Sequence, residues 1–518
     1  MGASTVTDAF APQDLLRADA YPHPVAGPQL IETPISWVFL TGIYAYKVKK
    51  ALSLEYLDTT TLERRLHLCR EELRLNQRFS ADLYLEVVPV TRDADGLRIG
   101  GSGAVVDYAV RMQQFDRREE LHALLVGGGV SRGEIETLAQ DVADFHDRAE
   151  VAVAGDHRRT QHLYRAVLGT LATLLARLPS LDGLPELGTL TDWTHDYLGA
   201  GVAEFQWRED CGQVRECHGD LHARNVVRRH GRLTPFDCLE FDADLRWIDT
   251  MSDVAFLLMD LDAHDRRDLA QAFLDRYLER TGDYAGVRLL RFYAVYRALV
   301  RAMVDAIALE GLPDPRDHAQ RLQRRVKSAA NFVARPPPML VLMHGLSGSG
   351  KTFLGGALAA HLECIRIRSD VERRRLARPD APIGYDAAAR RRVYARLLDC
   401  ADACLAGGYP VLVDASFLDG SERRMFRELA QRQRVRCVIV HCEAEIPVLR
   451  RRLALRAAAG TDASQAGIAV LEEQLKCREP LSAEEARQTV SVRTDQPDPL
   501  AAALTAVGRL LTGTPSTL

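Results

Sequence analysis

Apolar and polar positions divide this chain into stretches of different period. Ser36-Trp-Val-Phe-Leu40 and Tyr44-Ala-Tyr-Lys-Val48 are short β-rich runs either side of a Thr41-Gly42 turn, the pattern of a hairpin. From Thr59 to Phe79 apolar residues recur at Leu62, Leu66, Cys69 and Leu73, which predicts a helix. A further strand is predicted over 104–112. Ser131-Arg-Gly-Glu134 is a capping box ahead of Ile135, Leu138, Val142 and Phe145, the apolar face of the helix it opens. Helical periodicity then dominates to about residue 327, broken by the stretch 214–242. Ala334-Arg-Pro-Pro-Pro338 cannot continue a helix and predicts a linker over 331–338. Beyond it, Met339–Met343, Cys364–Ile367, Val411–Val413 and Cys437–Val440 alternate with helical stretches, the βαβα order of a parallel sheet.

Length and composition add bounds. A chain of 518 residues exceeds a single core and predicts two to four domains. Apolar residues at 47% and charged residues at 27% describe an ordinary globular protein. A net charge of −4 gives no whole-chain reason to expect nucleic acid or a membrane. The ten cysteines are scattered with no C-x-x-C pair, which reads as reduced core residues of a cytoplasmic protein. The N-terminus has no apolar h-region and no run approaches 18 apolar residues, so a soluble, cytoplasmic protein is expected.

The chemistry concentrates in two places. The first is His218-Gly-Asp220-Leu-His222-Ala-Arg-Asn225. Phosphoryl transfer needs a group to orient the acceptor hydroxyl, oxygen ligands for magnesium and a cation for the nucleotide phosphates. Asp220 and Asn225, five apart in a loop, fit the first two roles. Asp237 follows the short strand Leu233–Phe236, where a second magnesium carboxylate is expected. Lys47 stands on a strand, and Glu71 and Glu72 on the next helix are candidate partners; Glu72, beside the apolar stripe, is favoured. The pair His218 and His222 also admits a metal reading, but bracing of the loop explains the spacing better.

This arrangement resembles the aminoglycoside phosphotransferase family, whose fold is the bilobal protein-kinase-like one. His218-Gly-Asp-Leu-His222-x-x-Asn225 matches that family's catalytic loop, Phe236-Asp237-Cys-Leu-Glu240-Phe its magnesium aspartate, and Ile248-Asp249-Thr-Met-Ser-Asp253 the bracing segment. The resemblance implies that Asp220 is the catalytic base, that Asn225 and Asp237 bind Mg²⁺, and that Lys47, paired with Glu72, contacts the α/β-phosphates. His218 and Asp253 become supports, and residues 1–330 one kinase-like domain. The chain departs from the kinase pattern in one respect: no G-x-G-x-x-G precedes Lys47, and the turn falls at Glu32-Thr-Pro-Ile-Ser36.

The second place is Gly345-Leu346-Ser347-Gly348-Ser349-Gly350-Lys351-Thr352, after the strand-like run 339–344 and before a helical stretch with Leu354, Leu358 and Leu362 on one side. Strand, G-x-x-x-x-G-K-T and helix in that order make a P-loop: backbone N–H groups surround the phosphates, Lys351 reaches the β- and γ-phosphates, and Thr352 ligates magnesium. Asp370 lies at the carboxyl end of the second strand, the edge where open α/β sheets hold ligands. Val411-Leu-Val-Asp414 is Walker-B-like, and Asp414 is the candidate for the magnesium shell. This half resembles the small P-loop kinases around polynucleotide 5′-kinases, gluconate kinases and zeta-toxin-like proteins. That likeness implies that Asp370 activates the acceptor hydroxyl, that Arg373 holds phosphates, and that Arg452 and Arg456 are lid arginines. A helix N-cap for Asp370 and a solvated face for the two arginines remain open. Between Arg366 and Arg456 stand 20 arginines and no lysine against 12 acidic residues. That is compatible with a phosphorylated or nucleic-acid acceptor, though solvated helix faces account for it better and aromatic platforms are sparse.

Over residues 30–515 the chain resembles the two-part proteins described as bifunctional aminoglycoside phosphotransferase/ATP-binding proteins. The expectation is an α/β and α+β multidomain protein: a kinase-like domain followed by a P-loop kinase domain over 339–518. It uses ATP and Mg²⁺ to phosphorylate a hydroxyl of a small molecule. Alternatives are a polynucleotide or nucleotide kinase activity of the P-loop half, and an ATP-binding regulator that transfers nothing.

Overall fold

The computed structural model describes residues 11–512 except 55–56, 178–183, 310–315, 335–337, 378–385 and 460–466. The chain divides into two compact units. One runs to Pro179 and adds His195–His264; the other joins Ser180–Thr194 to Asp265–Leu518. The second unit thus begins well before the proline-rich stretch. The physical reason is that the helices Arg267–Thr281, Val287–Ala308 and Arg316–Val333 belong with the P-loop sheet. Gln271 donates its amide to the Cys364 carbonyl at 2.7 Å, and Asp275 accepts the Arg366 N–H at 3.1 Å. Residues 335–337 of the predicted linker lie outside the described residues. No helix among the described residues is long and apolar enough to cross a membrane.

The first unit is built on an antiparallel sheet of six strands, in the order Gln29–Glu32, Ser36–Leu40, Tyr44–Lys49, Ala104–Gln113, Tyr84–Asp93, Gly96–Ile99. The predicted hairpin is its second and third strands, with Leu40 opposite Ala45 and Ser36 opposite Lys49. Alternation along Tyr44–Lys49 sends Tyr46 and Val48 into one core with Trp37, Phe39 and Val90. Ala45, Lys47 and Lys49 therefore face the other way, toward the helix Leu62–Ser80, whose Cys69 packs with Ala45, Val110 and Met112. That helix exists as predicted, but its buried line is rotated from the apolar stripe. Leu62, Leu66 and Leu73 are only half-buried, while Arg65, Leu68, Cys69, Glu72, Leu75 and Asn76 are buried. Polar side chains occupy that face because each has a partner on the sheet or on the loop beyond; Arg65, for example, meets Asp107 at 2.9 Å.

The loop bearing His218–Asn225 leads into a small hairpin, Val226–Arg229 with Arg232–Pro235. The helix Thr250–Ala263 follows, capped by Asp249, whose Oδ1 accepts the Met251 N–H at 2.9 Å. Both Asp249 oxygens also take the Arg208 guanidinium, at 2.6 and 2.8 Å, and both residues are buried.

In the second unit five strands form a wholly parallel sheet ordered Ile365–Arg368, Val411–Asp414, Met339–His344, Arg436–Glu443, Thr489–Arg493. Four are the predicted strands. The fifth went unmarked because Thr489-Val-Ser-Val-Arg493 alternates too briefly to stand out. The core joins Val341, Met343, Leu354, Leu358, Val438 and Val440 to Ala503 and Val507 of the terminal helix.

Asp249→Asn keeps the side-chain size and removes the carboxylate charge that meets the buried Arg208 guanidinium with two hydrogen bonds. The expected cost is about 3–5 kcal/mol, read as a lower urea midpoint of the tryptophan-fluorescence transition.

Candidate functional site

In the first unit the sheet, the helix Leu62–Ser80 and the loop after residue 236 bring charges together. Lys47 Nζ lies 2.7 Å from Glu72 and 2.6 Å from Asp237. Glu72 is the partner, as the sequence favoured; Glu71 instead joins Arg74 and Arg246. Lys49, two residues along the same strand face, also reaches Glu72, at 2.5 Å, and pairs with Glu240. Lys49 was missed. Its signal was the period-two spacing from Lys47, which puts both ammonium groups on one side of the strand.

Burial alone favours the uncharged form of each of these groups, and opposite charges reverse it where they outnumber like ones. Burial works against the Lys47 charge, but Asp237, Glu72 and Glu240 hold its pKa well above the usual lysine range. Glu72 is likewise pushed up by burial, yet Lys47 and Lys49 bring it down to about 2. For Glu240 burial prevails and the pKa is raised despite Lys49.

Asp237 sits at φ 63°, a left-handed conformation uncommon outside glycine, and its N–H donates to the Tyr84 hydroxyl at 3.1 Å. The next N–H, of Cys238, is held at 2.9 Å by Asn76. Such strain recurs where a side chain must be aimed. The loop 218–225 meets the same place through two backbone links: the Phe236 N–H donates to the Asn225 carbonyl at 2.9 Å, and the Phe236 carbonyl faces His218 Nε2 at 3.0 Å. Asn225 donates its amide to the Asp220 carboxylate and carbonyl, both at 3.0 Å, which leaves its own Oδ1 as a metal-type ligand. Asp253, wholly buried, accepts the N–H groups of His218 (2.7 Å) and Gly219 (3.0 Å). It is the brace of this loop. Gly219 has φ 85°, and a Cβ there would come within 3.0 Å of the Leu245 carbonyl. His218 and His222 do not converge: His218 points at Phe236, and His222 Nε2 lies 3.3 Å from Asp220. His146, Cys217 and Asp253 cluster nearby, but the Asp253 oxygens are engaged by backbone N–H groups. The turn at 33–36 closes without glycine, the Thr33 hydroxyl accepting the Ser36 N–H at 2.9 Å.

In the second unit the strand Met339–His344 ends in the P-loop and the helix Lys351–His361 begins. Gly345 has φ 142°, and a Cβ on it would fall 2.5 Å from the Cys442 carbonyl oxygen, so only glycine lets the loop lie against the neighbouring strand. A cavity of about 700 Å³ opens above the carboxyl edge of the sheet. Ser347, Gly348, Gly350, Lys351, Thr352, Asp370, Arg373, Asp414, Arg452 and Arg456, all proposed from the sequence, line it. Gly345, Leu346 and Ser349 do not; they line a neighbouring cavity. Lys351 donates to the Leu346 carbonyl at 2.7 Å, and burial lowers its pKa from the ordinary value. Asp414 lies with one oxygen 3.5 Å from the Thr352 hydroxyl, while Arg366 holds the other at 2.6 Å. Thr352 and Asp414 together fit a Mg²⁺ shell, with Arg366 fixing the carboxylate from behind. Arg452 is anchored to Gly348 and Thr494 at 2.9–3.3 Å and so braces the P-loop. Arg366 and Thr494 were missed because neither belongs to a spaced motif.

With this geometry in view, comparisons place the second unit. Residues 340–481 match the family described as AAA domain. The C-terminal part of the chain is a P-loop domain built on a parallel sheet. An uncharacterized protein of Mycobacterium tuberculosis, Rv2004c, is 28% identical over 459 residues, which span 85% of this chain and 89% of that protein. An uncharacterized protein of Mycobacterium bovis, Mb2027c, matches to the same extent. Among solved structures, a gluconokinase from Sinorhizobium meliloti is 25% identical, covering 35% of this chain and all of its own, with a TM-score of 0.27. The Mycobacterium tuberculosis APS kinase CysC, solved with AMPPNP and APS, is 21% identical over 34% of this chain and 99% of its own, again with a TM-score of 0.27.

The depressed Glu72 pKa sets a pH dependence. Its contribution to stability is complete above the ordinary value of 4.5 and is lost as the pH falls toward 2. Glu72→Gln is expected to be less stable at pH 7 and to lose stability less steeply in acid, by up to about 1.4 kcal/mol per pH unit. Denaturant midpoints measured from pH 6 to pH 3 check this; parallel curves for the two proteins refute the assignment.

Proposed function

We propose that the chain is an ATP- and Mg²⁺-dependent phosphotransferase acting on a hydroxyl of a small metabolite, with a nucleotide site in each unit. One observation carries the reading: Lys351, Thr352, Asp370, Arg373 and Asp414, drawn from three different strand ends, meet in one cavity. In that cavity Asp370 takes the acceptor proton as the acceptor oxygen bonds to the γ-phosphorus. The bond from the γ-phosphorus to the β,γ-bridging oxygen breaks, and ADP leaves. Lys351 and Arg373 hold the phosphate charge. Thr352 and Asp414 would hold Mg²⁺, which would supply charge neutralisation to the nucleotide phosphates.

The first unit follows the same logic on a kinase-like fold: Asp220 orients the acceptor, Asn225 and Asp237 hold Mg²⁺, and Lys47 meets the α/β-phosphates. Supporting this is the Lys47 ammonium, which meets Glu72 at 2.7 Å and Asp237 at 2.6 Å, with the residue before Asp237 bonded to Asn225, which in turn holds Asp220. A small-molecule acceptor is preferred to nucleic acid because several of the arginines between Arg366 and Arg456 are held by carboxylates of the same unit. Arg366 pairs with Asp414, Arg375 and Arg396 with Glu372, Arg390 with Glu422, and Arg423 with Glu485.

The test follows label from γ-³²P ATP into a metabolite extract for the full chain, Asp220→Asn and Asp370→Asn. A labelled product that falls by about 10²–10⁴ in one variant assigns the reaction to that unit. No labelled product from any of the three proteins, beside intact ATP binding, replaces the transferase with an ATP-binding regulator. Calorimetric titration with a non-hydrolysable ATP analogue is expected to give two sites per chain. Lys351→Ala removes one of them and Lys47→Ala the other; a single site in the unaltered chain overturns the two-site reading.

A further inference from the structure

One peptide unit of the P-loop, Leu346–Ser347, is held at both ends. Its carbonyl accepts from Lys351 Nζ at 2.7 Å, and its N–H donates to the Gln474 side chain at 2.8 Å. Gln474 stands on the helix Ile468–Cys477, 127 residues further along the chain. Packing brings it there. The Leu346 side chain lies against Leu449 and Leu453 of the helix Ile446–Ala459 and against Leu471 of the helix Ile468–Cys477. Gln474 follows Leu471 by three residues, on the same side of its helix, and so meets the loop beside that apolar contact.

The bond to Ser347 orients the amide. A backbone N–H can only donate, so the Gln474 oxygen faces the loop and the NH2 group points away from Ser347. That NH2 has no partner among the described residues and is not shut off from solvent. Gln474 lines the cavity of about 700 Å³ together with Ser347, Lys351, Asp370 and Arg373. The helix N-terminus at Lys351 and Thr352 suits the inner phosphates of a nucleotide. The terminal phosphate then projects toward Asp370, past the early residues of the loop and the amide that caps them.

We propose that the Gln474 NH2 donates to a γ-phosphate oxygen of ATP while its oxygen keeps the Ser347 N–H, so that this residue makes the site favour ATP over ADP. This rests on the phosphoryl-transfer reading of the second unit and adds to it a residue that no spaced motif marks. The NH2 breaks no bond within the protein when phosphate arrives, and its neutral carrier adds a donor without adding charge. A hydrogen bond to an ionised group is about twice as strong as one between neutral groups, so a single fixed donor suffices for the preference.

The test compares affinities of the full chain for a non-hydrolysable ATP analogue and for ADP by calorimetry, read at the site that Lys351→Ala removes. Gln474→Glu keeps an acceptor for the Ser347 N–H and puts a carboxylate oxygen in place of the NH2, which repels phosphate. It is expected to weaken the analogue about 100-fold and ADP no more than about threefold. Gln474→Ala removes both bonds and is expected to weaken the analogue about tenfold, again with a smaller loss for ADP. A residue that only braces the loop gives the opposite order, with the Glu variant close to the unaltered chain and the Ala variant the weaker. That order, or equal losses of analogue and ADP in Gln474→Ala at an unchanged urea midpoint, overturns the proposal. The unaltered chain labelled with ¹⁵N-glutamine gives an independent reading, its Gln474 NH2 signals being assigned by their loss in Gln474→Ala. They are expected to move saturably with the analogue and far less with ADP; signals that do not respond to the analogue also overturn it. Absence of any Lys351-dependent nucleotide binding in the unaltered chain removes the phosphoryl-transfer reading together with this one, whereas the brace order removes this one alone.

Discussion

Glu72 has no contact with water, and its charge survives because Lys47 and Lys49 close on it from the adjacent strand. An isolated carboxylate in that position takes up a proton rather than remain charged. Much of the first unit follows from meeting that requirement. The strand Tyr44–Lys49 gives one face to two lysines and the other to an apolar core. The helix Leu62–Ser80 turns a partly polar line inward, against its own apolar stripe. Asp237 then arrives at the same ammonium group, and its left-handed backbone is fixed by Tyr84 and Asn76. The same rule acts on Asp253, whose oxygens accept two backbone N–H groups and lie 3.3 Å from His146 Nε2, and which so shapes the loop that carries Asp220.

The second unit meets the requirement with arginine. Glu372, wholly buried, is held by Arg375 and Arg396, and Asp414 by Arg366. Arginine suits these places because its planar fork satisfies a carboxylate with two hydrogen bonds at once and stays charged when buried. The density of arginine in this half thus has a structural cause that a charge count does not reveal. Lys351, Arg373 and Asp370 line the 700 Å³ cavity together.

The parts of the fold that could be read from the sequence were those written in local patterns. The hairpin at 36–49, the capping box at Ser131 and the four strands beside the P-loop each follow from spacing within a dozen residues. The P-loop and Asp414 were legible for the same reason, and Glu72 was chosen over Glu71 by helical phase alone. Lys49, Arg366 and the His344–His441 contact were not legible. Each acquires its meaning from a partner 48 to 191 residues away, and no local period encodes such a pairing. The inward face of the helix 62–80 was misread in phase because a periodicity count assumes that buried means apolar. Here Arg65, Glu72 and Asn76 are buried because the sheet and the loop beyond supply their partners.

The two candidate phosphate sites differ in what a nucleotide must displace. Lys351 rests on a neutral carbonyl, that of Leu346, so a phosphate entering the loop replaces one hydrogen bond by a charge-assisted one and gains by the exchange. Lys47 rests on two carboxylates, Glu72 and Asp237. A phosphate reaching it must compete with Asp237, and that competition eases only when a cation draws Asp237 away. Glu72 keeps the ammonium charged and in place throughout, and Lys49 keeps Glu72 charged in turn. Under the proposed two-site reading, the first unit would couple cation binding to nucleotide binding through Asp237, whereas the P-loop lysine carries no such condition.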